Sequence, residues 1–82
     1  MTEQQIQAKK IKELEAAGYY VIKLIKTNKN GIPDLIALHP GHTPLFVEIK
    51  SKKGRVSALQ KYRVDELRKH GFRAEVYRGT WK

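Results

Sequence analysis

The chain contains no cysteine, which excludes disulfide frameworks, thiolate zinc sites and cysteine nucleophiles together. Any metal it binds must therefore use oxygen or imidazole. Negative charge is also scarce: eight Asp and Glu stand against 17 Lys and Arg, a formal net charge of +9 in 82 residues. Such an excess points to a polyanionic partner. Nucleic acid and anionic membrane both qualify, but there is no apolar run of about 18 residues or more, and no short apolar segment follows a basic N-terminus. A cytoplasmic protein without membrane contact is expected.

What is present is 40% apolar residues, enough to build a core where charge-rich, core-poor chains stay disordered. A chain this short buries a modest fraction of its surface, so dimerisation would help it. There is no internal repeat, low-complexity segment or dividing linker, and a single domain over residues 1–82 is expected.

Thr2 followed by Gln5 fits a capping box, and Ile6, Leu14 and Ala17 recur near helical spacing until Gly18, which predicts a helix over residues 3–17. Tyr19 to Lys26 is aromatic and β-branched, and Thr27 to Gly31 supplies turn chemistry after it. Ile32 to Leu38 and Leu45 to Lys50 read as a strand pair around the Gly/Pro-dense segment His39 to Pro44. After the basic link Lys52 to Arg55, Ser57 and Gln60 form a second capping box, and a helix is predicted over residues 57–70, with Gly71 as its stop. Phe72 to Arg78 alternates apolar and charged residues as a half-exposed strand does. The resulting order is α-β-β-β-α-β: an α/β fold with a small mixed sheet flanked by helices.

Side chains alternate faces along a strand, so Glu48 and Lys50 project from one face and Ile49 from the other. Glu48 stands inside an apolar run, where an ionised group is costly unless paired or bound to a cation. Asp34, just after Pro33, reaches the end where Glu48 emerges if the two strands are neighbours. Two converging carboxylates suit a hard divalent ion such as Mg²⁺, which takes oxygen ligands, and the Ile49 carbonyl offers another.

Gly31-Ile32-Pro33-Asp34 followed by Glu48-Ile49-Lys50, in this element order, resembles the PD-(D/E)xK nuclease superfamily. Within it, the small size, Glu3 in the first helix, the Gly-x-Pro-Asp element and Gln60 resemble the virus-type replication-repair nuclease (VRR-NUC) family. The resemblance implies the minimal nuclease core of that superfamily and a Mg²⁺- or Mn²⁺-dependent endonuclease that hydrolyses phosphodiester bonds in DNA, with a preference for branched or junction structures. It implies that Asp34 and Glu48 bind the metal with Ile49 and Glu3 contributing, that Lys50 positions or activates the attacking water, and that Gln60 supports the site. The chain stops soon after the last strand, and standalone members of this kind resemble homodimeric junction-resolving enzymes, so a homodimer is expected. Were the protein phage-encoded, its compartment would be the host cytoplasm. Lys52, Lys53 and Arg55 follow the Glu48 strand directly, where they should contact the phosphate backbone.

Each of these residues also has an ordinary structural reading. Glu48 and Lys50 could form an ion pair on an edge strand, Asp34 could close a turn, Glu3 could favour a helix N-terminus and Gln60 could serve only its cap. His39 and His42 flank Pro40 and Gly41 in a turn and are assigned no role. Tyr19, Tyr20, Tyr62 and Trp81 are expected in the core or at a dimer interface. The rival functional reading is a basic nucleic-acid-binding module without catalysis, its carboxylates structural.

Overall fold

Residues 1–79 are described by a computed structural model of the chain. Helix α1 spans Glu3–Ala16, strands β1, β2 and β3 span Tyr20–Lys23, Leu35–Leu38 and Leu45–Ile49, helix α2 spans Ala58–Lys69 and strand β4 spans Arg73–Tyr77. The order α-β-β-β-α-β is the one the sequence predicts. Both helices start on the expected capping boxes, the Thr2 and Ser57 hydroxyls accepting from the backbone of Gln5 and Gln60 while those side chains return to the cap N–H groups.

The four strands form one mixed sheet in the order β1-β2-β3-β4. The first two pairings are antiparallel and β3 runs parallel to β4, as a strand–helix–strand crossover through α2 requires. Alternation along the strands sorts the side chains into two layers. Leu35, Ala37, Leu45, Val47 and Ile49 pack with Ile6 and Leu14 of α1 to form the main core. On the opposite face α2 lies against β4, burying Val64 and Ala74, and Phe46 meets Phe72 edge to face. That second helix leaves the β1 side of its face open, so Tyr20 and Ile22 stay exposed.

The strands are shorter than the apolar runs suggested. Strand β1 ends at Lys23 although the apolar run continues to Ile25, and β2 begins at Leu35 because Pro33 has no N–H to give a ladder. Asp34 thus precedes β2 rather than opening it. Ala17, expected on the buried stripe of α1, is the exposed C-cap residue. Tyr19 packs at the edge of the core as expected, whereas Tyr20 and Tyr62 are exposed, and Trp81 lies outside the described residues. Among the described residues no helix is long and apolar enough to cross a membrane.

Candidate active site

The pairing Leu35↔Val47 extends one step further to set Asp34 across from Glu48, and a side-chain bond holds it there: the Ile49 N–H donates to Asp34 Oδ2 over 2.7 Å. The backbone anchors Asp34 as well, since its carbonyl accepts from the Leu24 N–H at 2.8 Å. The preceding Gly31 makes this approach geometrically feasible. It sits at φ +80°, and a Cβ there would meet Leu59 Cγ of α2 at 2.7 Å, so only glycine lets the loop pass under that helix. The Gly-x-Pro-Asp element is thus a tight passage that ends in a fixed carboxylate.

Glu48 is the one charged side chain among the buried residues described, at 2% exposure. Its Oε2 accepts from Gln60 Nε2 at 3.1 Å, while Oε1 has no hydrogen-bond partner. Burial pushes its carboxyl up to about 8 from the ordinary 4.5, and Asp34 adds to the rise both by its charge and as a hydrogen-bond neighbour. Lys50 pulls it back down and Glu3 pushes it up more weakly. When Glu48 is ionised, Oε1 has no hydrogen-bond donor and the charge of Lys50 opposes the repulsion from Asp34.

Gln60 makes two side-chain bonds at once. Its Oε1 accepts from the Ser57 N–H at 3.0 Å to complete the cap, and its Nε2 reaches the Glu48 carboxylate. Glu3 lies where α1 begins, with its Oε2 accepting from the Ser51 N–H at 3.4 Å just past the end of β3. Lys10, farther along α1, is engaged elsewhere. It is tucked over the Tyr77 ring, 4.3 Å from its centroid, and pairs with Glu13 and Glu75.

Lys50 follows Glu48 on the same face, its backbone tied to the Tyr77 carbonyl. Lys52, Lys53 and Arg55 are exposed in the adjoining loop and enter no ion pair among the described residues. That loop is held by Arg78, a residue that no sequence pattern singles out. Arg78 Nη1 donates to the Ser51 carbonyl at 2.9 Å and to the Gly54 carbonyl at 2.6 Å. An Arg after a terminal strand carries no local signal of such a reach. His39 and His42 lie at the other end of β3, in edge-to-face or tilted ring contact with each other and with Tyr19, away from Glu48.

Oxygen donors for a cation are therefore concentrated at one sheet end. No group of three or more His, Asp or Glu side chains among the described residues is disposed to hold a metal ion, so the carboxylates offered are the pair Asp34 and Glu48. Mg²⁺ commonly takes one or two carboxylates, the rest of its shell being water and phosphate oxygen. The pair, with one buried oxygen lacking a partner, fits that donor set.

A small mixed sheet with this element order and an acidic pair beside a lysine defines a nuclease-type α/β domain. The family model of the VRR-NUC domain matches residues 1–81. A solved structure described as a VRR_NUC domain superposes with a TM-score of 0.84 at 27% identity, covering 96% of this chain and 87% of that one. No curated protein matches. The chain belongs to the VRR-NUC family, a family of nucleases.

Proposed function

We propose that this protein is a metal-dependent endonuclease that hydrolyses DNA phosphodiester bonds. The observation that carries the reading is Glu48, buried to 2% exposure with Oε1 unpartnered beside Asp34, at the sheet end where Lys50 and a basic loop emerge. A structural ion pair would place this carboxylate against a cationic side chain rather than a second carboxylate, and a pure binding module gains nothing from acids facing a polyphosphate unless a cation lies between them.

Asp34 and Glu48 would hold Mg²⁺ or Mn²⁺, with the Ile49 carbonyl completing the protein donors and Glu3 acting from the edge of the site. When bound, such an ion lowers the pKa of water and offsets charge developing on the phosphoryl oxygens. The Ile49 N–H orients Asp34, and the Gln60 amide holds one oxygen of Glu48 and leaves the other without a hydrogen-bond partner. Lys50 contributes fixed positive charge beside the attacked phosphorus and orients the incoming water. Water oxygen bonds to phosphorus as the bond to the leaving sugar oxygen breaks, and that oxygen takes up a proton. Lys52, Lys53 and Arg55 hold the flanking phosphates, which gives affinity without base specificity.

The same reading includes a homodimer acting on branched DNA. Support for the second copy comes from edge strand β1, whose Tyr20 and Ile22 are left uncovered by α2. Light scattering that gives a strict monomer with and without DNA would count against it.

The test is cleavage of labelled single-stranded, linear, flap and four-way-junction DNA by the wild type, Lys50→Ala and Asp34→Asn, with Mg²⁺, Mn²⁺ or EDTA. Metal-dependent cutting abolished in both variants, with binding retained in Asp34→Asn, is the expected result. Tight binding without cutting under either metal would leave the non-catalytic module.

A further inference from the structure

The basic charge of this chain is segregated along the sequence. No acidic residue stands between Glu15 and Asp34, or between Glu48 and Asp65. The second acid-free stretch contains the Lys52–Arg55 loop; the first contains Lys23, Lys26 and Lys29. Its lysines enter no ion pair among the described residues, whereas Lys10, Lys61, Arg63 and Arg68 each have an acidic partner.

This first stretch includes the β1–β2 loop, which is anchored at several points. The Leu24 N–H binds the Asp34 carbonyl, Thr27 Oγ1 donates to the Lys29 carbonyl at 2.6 Å, and Arg63 Nε donates to the Asn30 carbonyl at 2.9 Å. Gly31 seats against Leu59 of α2. Residues 24–27 and 29–32 line a groove of ≈ 390 Å³. Within this anchored, lysine-bearing segment, Ile25 is 87% exposed. A lone exposed apolar side chain needs no explanation, but this one is β-branched and stiff, lies between lysines and is one residue from the partner of Asp34. Its Cα lies roughly 9 Å or less from that of Asp34, by the spacing of paired and consecutive residues.

We infer that the β1–β2 loop is a second nucleic-acid-binding element of the site, in which Lys26 and Lys29 hold a phosphodiester backbone and Ile25 packs as an apolar wedge against an unpaired base beside the scissile phosphate. The loop at Lys52–Arg55 holds one strand; this loop holds the other strand or the other side of a branch. An apolar wedge of this size must unstack the bases it enters, and that cost is least where a base is already unpaired. The ligand class is therefore DNA with an unpaired base next to the cut. This inference rests on the nuclease reading for the word scissile, but the binding it describes does not require cleavage.

The experiment measures affinity by fluorescence anisotropy, with Ca²⁺ present, for a linear duplex and for a flap DNA carrying 2-aminopurine at its first unpaired position. The proteins are the wild type, Ile25→Ser and the double variant Lys26→Ala/Lys29→Ala, each checked for folding by thermal melting and for mass by light scattering. The double variant should bind both DNAs about tenfold more weakly, its log K versus log salt slope shallower by about 1.8. Ile25→Ser should lose about fivefold on the flap alone, together with the 2-aminopurine response. Unchanged affinity in the lysine variant, equal losses on both DNAs for Ile25→Ser, or a change of mass in Ile25→Ser would overturn the inference. Should the wild type cut no DNA with Mg²⁺ or Mn²⁺ while these binding differences stand, the nuclease reading fails and the loop assignment survives.

Discussion

Gln60 Nε2 donates to Glu48 Oε2 across 3.1 Å, joining the first turn of α2 to the buried carboxylate of β3. The same side chain closes the helix cap through Ser57. One residue therefore couples the start of a helix to the geometry of the site, and the two roles can be separated by substitution.

Ser57→Ala removes the hydroxyl of the cap and leaves the Gln60–Glu48 bond, so it should cost about 1 kcal/mol of stability with cleavage largely retained. Gln60→Ala removes both bonds and strands the second oxygen of a buried carboxyl, which should cost about 2 kcal/mol or more and lower kcat as well. Urea unfolding alongside single-turnover cleavage reads the difference. Equal loss of activity in the two variants would show that the cap alone matters.

Metal-free stability should fall as pH rises. The Glu48 carboxyl is raised from 4.5 to about 8 in the folded chain, so between those values the folded state retains a proton that the unfolded chain has released. More protons bound to the folded state means stability declines with increasing pH through that window and levels off above it, a loss on the order of a few kcal/mol. Thermal melts in EDTA from pH 5 to about 8.5 should show the decline. Glu48→Gln should lack this component, and Mg²⁺ should restore the wild type most at the alkaline end, where it displaces no proton.

Replacing Lys52, Lys53 and Arg55 together by Ala should weaken DNA binding at low salt and flatten its salt dependence by about 0.9 in slope for each phosphate no longer neutralised. Linear and branched DNA should be affected alike, because contacts to phosphate carry no base information. A slope equal to that of the wild type would mean the loop is merely solvated.

Gly31→Ala should destabilise the fold by about 2 kcal/mol or more, since it places a Cβ at φ +80° and 2.7 Å from Leu59 Cγ. The companion change Leu59→Ala opens that space, so the double variant should recover part of the loss. Failure to recover any would put the whole effect in the backbone conformation.

Patterns that span one or two turns are legible in the amino-acid sequence alone. Thr2 with Gln5 and Ser57 with Gln60 place both helix starts, because a cap is satisfied within four residues. Alternation in Val47-Glu48-Ile49-Lys50 sets Glu48 apart from Ile49, because the pleat has a period of two. The same local signals overrun where the tertiary environment decides: the apolar run at Tyr19 to Lys26 continues past the end of β1, Tyr20 faces solvent because α2 covers β4 instead of the whole sheet, and Tyr62 stands exposed on α2 itself.

The sequence by itself determined the order of elements, the caps, the excess of basic charge and the residue types at Asp34, Glu48 and Lys50, since each is a matter of composition or of neighbours a few positions apart. Only the tertiary structure decided that the Ile49 N–H holds Asp34, that Glu48 is buried with one oxygen unpartnered, and that Arg78 pins the Ser51–Gly54 loop. The hydrogen bonds among these join residues 15 or more positions apart, and no local pattern encodes them. They exist because strand register and helix placement bring distant polar groups into a region where burial makes each hydrogen bond, or its absence, costly.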